Sequence, residues 1–240
     1  MSQPRVVMCS MFRNEIAPNR RLVDRVEHLL AKAESYPNMR YVWVVGDSTD
    51  DTARALAQLS IGYDVRIVDI GDTGIEGIDA TSRLRRLSAT ANEYFNWCEN
   101  VDYVLVHESD IASPSNIVNK LVAHAEQGRC PIAAWPTFEV RPGMRWFYDV
   151  LCFSKDGRRF RNSPPFHPCY VSDKPFVVDS FGTCFIFHAE DVSLLHMNDR
   201  AVLDLCKQLR EQGRTLWVDP TLEVVQPYDL WQPHDTRTYA

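Results

Sequence analysis

Residues 103–111 read YVLVHESDI, a short apolar run that ends in the acidic triplet Glu108-Ser109-Asp110. The run 103–107 predicts a buried strand, and ligands of open α/β sheets bind beyond the carboxyl ends of such strands. In an extended segment, residues i and i+2 point the same way, so the two carboxylates can share one Mg²⁺ or Mn²⁺. The sequence therefore predicts a metal site here. The alternative is a solvated loop start, with Asp110 merely near the next helix.

Strand and helix signals alternate on both sides of this triplet. Apolar runs predict strands at 5–10, 41–45, 65–69, 103–107 and 132–137. Helical spacing of apolar residues, together with capping residues, predicts helices at 18–35, 48–59, 82–97 and 113–128. This βαβα order predicts an α/β fold with a mostly parallel, Rossmann-like central sheet and helices on both faces.

The second half of the chain is less regular. Residues 138–175 are rich in Pro, Gly, Arg and aromatic residues, a composition typical of a functional or mobile loop. β character returns at 177–188, a helix is predicted at 199–212, and short strands are predicted at 215–218 and 222–225. We expect a small antiparallel extension of the same domain, so that residues 1–240 form one domain.

Composition and charge narrow the function classes. The 240 residues suffice for one α/β domain, and no run of about 18 apolar residues predicts a membrane-spanning helix. The early charges of the N-terminus argue against a signal peptide, and seven scattered cysteines without a Cys-x-x-Cys motif predict free thiols. A soluble, cytoplasmic protein is expected. The net charge of −6 disfavours wholesale binding of nucleic acid.

Two further groups of polar residues lie where ligands are expected. Asp47 follows a predicted strand within VVGDSTDDT (44–52), and its carboxylate is predicted to contact a nucleobase or a ribose, while Ser48 and Asp51 cap the next helix. Arg83 and Arg86 share one face near the start of the following helix, where cations oppose the helix dipole. Binding of a diphosphate would explain them, and the alternative is a solvated basic patch or an ion pair with Asp79.

Taken together, these segments resemble a known family. The order is Ser-Met-Phe-Arg-Asn-Glu at 10–15, Asp-Ser-Thr-Asp-Asp-Thr at 47–52, and acidic–x–Asp at 108–110. It is similar to that of the GT-A glycosyltransferases, especially the family 2-type and Anp1-like mannosyltransferase groups. The resemblance covers roughly residues 5–137, resumes at 177–192 and continues through 203–225.

The resemblance implies a metal-dependent glycosyltransferase, in particular a hexosyltransferase, that uses a UDP- or GDP-sugar with Mn²⁺ or Mg²⁺. Residues 1–137 would be the nucleotide-sugar-binding half and residues 138–240 the acceptor-binding half. The donor-binding residues implied are Ser10, Arg13, Asn14, Glu15, Asp47, Arg83, Arg86 and Ser109. Glu108 and Asp110 would hold the metal, and Asp179 and Gly182 would border the transferred sugar and the acceptor.

The chain departs from the family pattern at two places. Inverting members carry an acidic pair, including the general base, where this chain has Ala201 and Val202. Asp199 is nearby and is the predicted substitute, with Asp179 as the second catalytic candidate; otherwise the enzyme is retaining. A histidine that binds the metal is replaced by Gln226. His234 is then a candidate third ligand, and the alternatives are Gln226, water, or a plain surface role for His234.

The acceptor region is predicted from charge and aromatic content. Residues 141–174 contain seven basic and three acidic residues, and the candidate acceptor-binding residues are Trp135, Arg158, Arg159, Arg161 and Gly182. An anionic or stacking acceptor fits, such as a glycan, a lipid phosphate, a protein or a modified DNA base. The alternative is a loop whose arginines balance the acidic excess of the protein itself.

Two other function classes remain as hypotheses. A non-catalytic nucleotide-sugar-binding module would explain the missing acidic pair and Gln226. A sugar-1-phosphate nucleotidyltransferase shares the sheet but needs a glycine-rich loop after the first strand, where residues 9–15 contain no glycine.

Overall fold

The computed structural model describes residues 3–16, 21–77, 79–141, 144–164, 166–167 and 173–227. The strands are β1 Val6–Phe12, β2 Met39–Val45, β3 Val65–Asp69, β4 Tyr103–His107, β5 Ile132–Arg141, β6 Met144–Phe147, β7 Ser154–Lys155, β8 Arg158–Arg159, β9 Phe176–Val178, β10 Cys184–His188 and β11 Leu216–Gln226. The helices are α1 Leu22–Leu30, α2 Lys32–Ser35, α3 Thr52–Leu59, α4 Ala80–Phe95, α5 Ile117–Glu126 and α6 Val202–Glu211, with a 3₁₀ helix at Ala189–Leu194. No described helix combines the length and apolarity needed to cross a membrane.

The central sheet is mixed but mostly parallel. Its strand order is β3-β2-β1-β4-β10-β5-β11-β9, with β6 paired to β5 and a separate β7–β8 hairpin. β10 lies antiparallel between β4 and β5, so β5 and β11 run in the same direction as β1–β4. Cys184 pairs with His107, which brings the start of β10 to the edge where β4 ends. The predicted α/β fold with a mostly parallel sheet is confirmed.

The two faces of the sheet carry separate apolar cores. One core contains residues of α1, α3 and α5. The other contains residues of α4 and α6 together with the aromatic side chains Phe147, Phe153 and Phe160. In β4, Tyr103 and Leu105 belong to the first core, while Val104 and Val106 belong to the second. Successive strand residues point to opposite faces, so the side of the sheet on which each edge residue emerges follows from this alternation.

Several element boundaries differ from the sequence predictions. The helix predicted at 18–35 is divided into α1 and α2 at Ala31, and its first three residues lie outside the described ranges. The two strands predicted at 215–218 and 222–225 are one strand, β11, with a register shift between Asp219 and Glu223. At the start of α3, the Asp50 carboxylate accepts the backbone N–H of Thr52, whereas the Asp51 side chain makes no capping hydrogen bond and the Ser48 hydroxyl accepts the Asn14 N–H.

Leu105 provides a test of the core. Its side chain is fully buried in the central strand β4. Truncation would leave a cavity between the sheet and α1 and α5, so we expect Leu105→Ala to lower the free energy of unfolding by about 2–5 kcal/mol in urea titrations. Ile61→Ala is the control, because Ile61 is 79% exposed, and its effect should stay within about 0.5 kcal/mol. Equal effects of the two variants would contradict the described core.

Candidate active site

Glu108 emerges at the end of β4 on the side of α4, as its register with Val104 and Val106 predicts. Its backbone N–H donates to the Thr183 carbonyl at 3.0 Å. Burial raises the pKa of the Glu108 carboxyl well above its ordinary value. The neighbouring carboxylates of Asp110 and Asp149 raise this pKa further, and the positive charge of Arg83 lowers it. Glu108 is therefore an acidic group held among other acidic groups.

Asp110 is linked to the last strand of the sheet by Gln226. The Gln226 amide donates from Nε2 to Asp110 Oδ2 at 3.0 Å. Gln226 is only 8% exposed, and its Oε1 has no hydrogen-bond partner in the described part of the chain. A buried amide oxygen without a donor is costly. Gln226 stands where the family resemblance led us to expect a histidine, so the structure brings that position to the predicted carboxylate pair.

Asp149 is a third carboxyl group of this edge, and the sequence analysis missed it. Thr183 Oγ1 donates to Asp149 Oδ2 at 2.8 Å, and the Cys152 N–H donates to Oδ1 at 3.2 Å. Desolvation raises the pKa of Asp149, and these hydrogen bonds partly offset the shift. No local pattern within residues 138–175 distinguishes Asp149, because tertiary pairing brings it to the edge.

Gly182 makes room for this carboxylate. A Cβ at position 182 would lie 2.2 Å from Asp149 Oδ2 and 2.9 Å from the Cβ of Cys152. The predicted role of Gly182 at the acceptor remains a prediction. The structure gives glycine at this position a direct steric reason.

Asp47 and Arg86 hold the loop that follows β3. Asp47, in the left-handed region at φ 53°, accepts on Oδ1 from both the backbone N–H and the hydroxyl of Thr73, each at 2.8 Å. Arg86 Nη1 donates to the carbonyls of Ile75 and Gly77, and its Nε lies 3.7 Å from Asp47 Oδ2. Both side chains are thus engaged within the protein at the predicted nucleotide pocket.

Arg83 is the other predicted donor-binding arginine near the start of α4. It lies one turn before Arg86 on α4, and it is exposed. Arg86 approaches Asp47, while the charge of Arg83 acts on Glu108. The first turns of α4 therefore carry two arginines, of which Arg86 lies beside Asp47.

Three of the predicted donor contacts have their polar atoms committed inside the protein. The buried Ser10 hydroxyl donates to the His107 carbonyl at 2.7 Å, and that of Ser109 donates to the Met11 carbonyl at 2.6 Å. The Glu15 carboxylate forms a buried ion pair with Arg25, with Oε2 2.6 Å from Nη1. In this structure these residues join the strand ends through these contacts, and their predicted contact with the donor stays a prediction.

Arg13 and Asn14 occupy the turn after β1. Asn14 adopts φ 50°, and its Oδ1 accepts the Thr49 N–H at 2.8 Å. The Asn14 N–H donates to Ser48 Oγ at 3.0 Å. Arg13 is exposed, and its Nε donates to the Asp47 carbonyl at 3.4 Å. Both residues adjoin Asp47, and their predicted contact with the donor stays a prediction.

The two predicted catalytic carboxylates lie in different settings. Asp179 Oδ2 accepts the Gly157 N–H at 2.7 Å, and its Oδ1 is 3.9 Å from Arg210 Nη1. Asp199 pairs with Arg85 at 2.8 Å, and both side chains are more than half exposed. Within the described residues, no hydrogen bond joins either carboxylate to Glu108 or Asp110.

The predicted acceptor residues divide into a buried and an exposed group. Trp135 is 7% exposed and packs on Phe147 and Phe160, with ring centroids 4.5 and 5.7 Å away, so it belongs to an aromatic core. Its predicted contact with the acceptor stays a prediction. The exposed residues are Arg158, Arg159 and Arg161, for which no ion pair is found within the described ranges. His234 lies outside the described residues.

A polar network lies beneath the acidic segment on the opposite face of the sheet. His107 Nδ1 donates to the Glu108 carbonyl at 2.9 Å, and its Nε2 lies 2.8 Å from Ser113 Oγ. The Ser113 N–H donates to His28 Nε2 at 2.9 Å, and Lys32 Nζ donates to the Ser113 carbonyl at 3.1 Å. Burial and the charge of Lys32 lower the pKa of His28 to about 4. The sequence analysis did not identify these residues.

The oxygen atoms of Glu108, Asp110 and Gln226 are hard donors of the kind that Mg²⁺ and Mn²⁺ prefer. Within the described residues, no three Asp, Glu, His or Cys side chains are arranged to hold a metal ion. A cation at this edge would thus rest on two carboxylates, an amide oxygen and ligand oxygens. This composition suits a diphosphate-bound divalent ion.

Comparisons with known proteins identify the fold. No protein-family model matches the sequence, and no curated protein sequence matches it. The mannosyltransferase PcManGT from Pyrobaculum calidifontis, in complex with GDP-Man and Mn²⁺, is 17% identical with a TM-score of 0.59, over 93% of this chain and 57% of that chain. TarS 1–349 of S. aureus is 11% identical with a TM-score of 0.55, over 89% and 57%. The chain spans little more than half of each, and the fold is GT-A-like.

Gly182→Ala tests the packing of Asp149. The added methyl group would clash with the Asp149 carboxylate, so we expect a loss of about 1–3 kcal/mol of unfolding free energy. The double variant Gly182→Ala/Asp149→Ala should recover part of this loss, because the clashing oxygen is gone. Strictly additive losses in a double-mutant cycle would show that the two residues do not meet.

His28→Gln tests the buried network. Burial lowers the pKa of His28 from its ordinary 6.5 to about 4 in the folded protein, so its contribution to stability is lost as pH falls from about 6.5 to about 4. The amide oxygen of glutamine can still accept from Ser113 and Lys32. We therefore expect the variant to lose about 1–2 kcal/mol less than the wild type across this range, measured by urea unfolding. His196→Gln, which removes an exposed imidazole, is the control. A wild-type slope in His28→Gln would contradict a buried neutral His28.

Proposed function

We propose that this protein is a metal-dependent glycosyltransferase that moves a hexose from a UDP- or GDP-sugar. The observation that carries the proposal is the Glu108–Asp110 pair at the carboxyl edge of a GT-A-like sheet. Burial and mutual repulsion raise the pKa of Glu108, and a buried Gln226 amide is joined to Asp110. The fold likeness to a mannosyltransferase in complex with GDP-Man and Mn²⁺ supports this assignment.

Glu108 and Asp110 would hold Mn²⁺ or Mg²⁺, with the free Gln226 Oε1 as the third protein ligand in place of histidine. When bound, the cation acts as a Lewis acid that stabilises the negative charge of the departing diphosphate. Arg83, which is exposed one turn before Arg86 on α4, would contact a phosphate of the donor. Asp47 and Arg86 would bind the donor together with the loop 71–77, which both side chains contact. Residues 1–137 would therefore form the nucleotide-sugar-binding half.

Three carboxylates are candidates for activating the acceptor hydroxyl. Asp179 and Asp199 follow from the sequence analysis, and Asp149 joins them because its charge acts on Glu108. An inverting reaction needs one of them as general base close to the acceptor. Asp199 and Asp179 each lie close to an arginine, so Asp149, which shares Thr183 as a partner with Glu108, is the best placed of the three.

The acceptor would bind along residues 138–240, at the exposed guanidinium groups of Arg158, Arg159 and Arg161. Without ion pairs in the described structure, these groups suit an anionic acceptor such as a phosphorylated glycan, a lipid phosphate, a protein or a modified nucleic acid. Free thiols at the described cysteines fit a cytoplasmic location.

A non-catalytic nucleotide-sugar-binding module is the second candidate. It is favoured by the apolar residues Ala201 and Val202, and by the engagement of Asp199 with Arg85. Donor binding without hydrolysis or transfer would support it over the enzyme.

Asp110→Asn tests the proposed function. Wild-type protein with Mn²⁺ and a panel of UDP- and GDP-sugars should hydrolyse one donor slowly, and excess EDTA should abolish this. The variant should lose at least about 100-fold in rate, because a weakened cation site forfeits about 3 kcal/mol of transition-state stabilisation. Product nucleotide measured by chromatography is the readout.

The matched control is Glu211→Gln, which alters an exposed carboxylate on α6 that pairs with Lys207. It should retain the wild-type rate. Turnover that survives EDTA undiminished, or an Asp110→Asn variant as active as the control, would contradict the metal role. Calorimetric donor binding with no turnover of any donor would favour the binding module.

A further inference from the structure

Three polar side chains form a stripe along α1 and α2. Arg25, His28 and Lys32 are spaced i, i+3 and i+7, so they share one helix face. Arg25 and Lys32 are buried, 7% and 1% exposed, although long charged side chains almost never are. No ion pair of Lys32 is found within the described ranges. Burial of such groups costs free energy that an apolar face would avoid.

All three side chains of the stripe reach the acidic segment 108–113. Arg25 donates from Nε to the Ser109 carbonyl at 2.8 Å and from Nη2 to the Ser109 hydroxyl at 2.7 Å. Four residues further on, His28 accepts the Ser113 N–H, and Lys32 donates to the Ser113 carbonyl. The stripe therefore holds the segment near both ends, on either side of Asp110.

The remaining backbone groups of the segment are held from other directions. The Glu108 N–H donates to Thr183, and the Glu108 carbonyl accepts from His107. The Ala112 N–H donates to the Val225 carbonyl at 2.7 Å, and the Val225 N–H donates back at the same distance. A segment with this many fixed groups has little freedom to relax, so its two carboxylates keep one separation.

We propose that the Arg25–His28–Lys32 stripe is a positioning device that fixes the segment 108–113, so that Glu108 and Asp110 are presented together to one divalent cation. The inference rests on the proposed function for the identity of the ligand. Arg25 has the central part, because its guanidinium spans Glu15 after β1 and Ser109 between the two carboxylates. None of the three side chains touches the cation or the donor in this role.

Arg25→Lys is the variant that tests the device. Lysine keeps the positive charge beside Glu15, but one ammonium group cannot reproduce the fork that grips both Ser109 oxygens. Arg214→Lys is the matched control. Arg214 pairs with Glu190 and Asp191 near the start of β11, at the opposite edge of the sheet.

Two measurements on the full chain separate positioning from general instability. In metal-free protein, hydrogen exchange of the Glu108, Ala112 and Ser113 amides should quicken about tenfold or more in Arg25→Lys and stay at the wild-type rate in Arg214→Lys. With Mn²⁺ and GDP or UDP, the Mn²⁺ dissociation constant, followed by electron paramagnetic resonance, should rise about 10- to 100-fold in Arg25→Lys only.

The outcomes are distinguishable. If the wild type binds Mn²⁺ with neither nucleotide, the proposed function is overturned, whatever the exchange data show. If the wild type binds Mn²⁺ while Arg25→Lys exchanges and binds like the control, the positioning role alone is overturned. Should Arg25→Lys fail to fold, Ser109→Ala removes only the hydroxyl contact, and the same two readouts apply to it.

Discussion

The alternation of side chains along β4 is the constraint on which the carboxyl edge depends. A strand at the centre of the sheet sends successive residues to opposite faces, so His107 emerges toward α1 and α2 while Glu108 emerges toward α4. Side chains that hydrogen-bond the backbone of residues 108–113 therefore lie on one face of the sheet. The side chains proposed to bind a ligand lie on the other face. A shift of one residue in this strand would exchange the two sets. The buried apolar residues of β4 prevent such a shift, since they would have to change faces with it.

The chemistry of the edge follows from concentrating negative charge in a partly desolvated place. Glu108 and Asp149 both have raised pKa values, mainly through desolvation, and Asp110 adds its charge to the first of them. The positive charge of Arg83 lowers the pKa of Glu108 and so favours its ionised form. The neutral amide of Gln226 joins Asp110 without cancelling its charge. Such an arrangement is costly in the free protein and is relieved when a cation binds, which is the physical basis of the proposed metal dependence.

Most of the sheet and the location of the acidic pair could be predicted from the sequence, because both depend on local patterns. The strand 103–107 was predicted with its observed bounds, since apolar periodicity and the following charges mark its ends. Residues whose role depends on tertiary direction could not be predicted. Ser10 ends the first predicted strand, and Ser109 lies two residues after β4, where ligand-binding residues are expected. The hydroxyls of both instead donate to backbone carbonyls inside the protein. Asp149 and the polar stripe of α1 and α2 are brought to the edge by contacts distant in sequence.

The loop 71–77 occupies the oxygen atom of Asp47 at which the proposed nucleotide would bind. Thr73 already supplies both hydrogen bonds that Oδ1 of Asp47 accepts, so an incoming ribose or base that uses this oxygen must first displace Thr73. Gly71, Gly74 and Gly77 all have positive φ, a conformation that constrains side-chain-bearing residues far more than glycine. Replacing the two Thr73 hydrogen bonds by hydrogen bonds to the ligand leaves a small net enthalpy. The affinity at this oxygen then depends on the difference between the two sets of hydrogen bonds. Under the proposed function, association at this oxygen would be slower than encounter, because the two Thr73 hydrogen bonds open first.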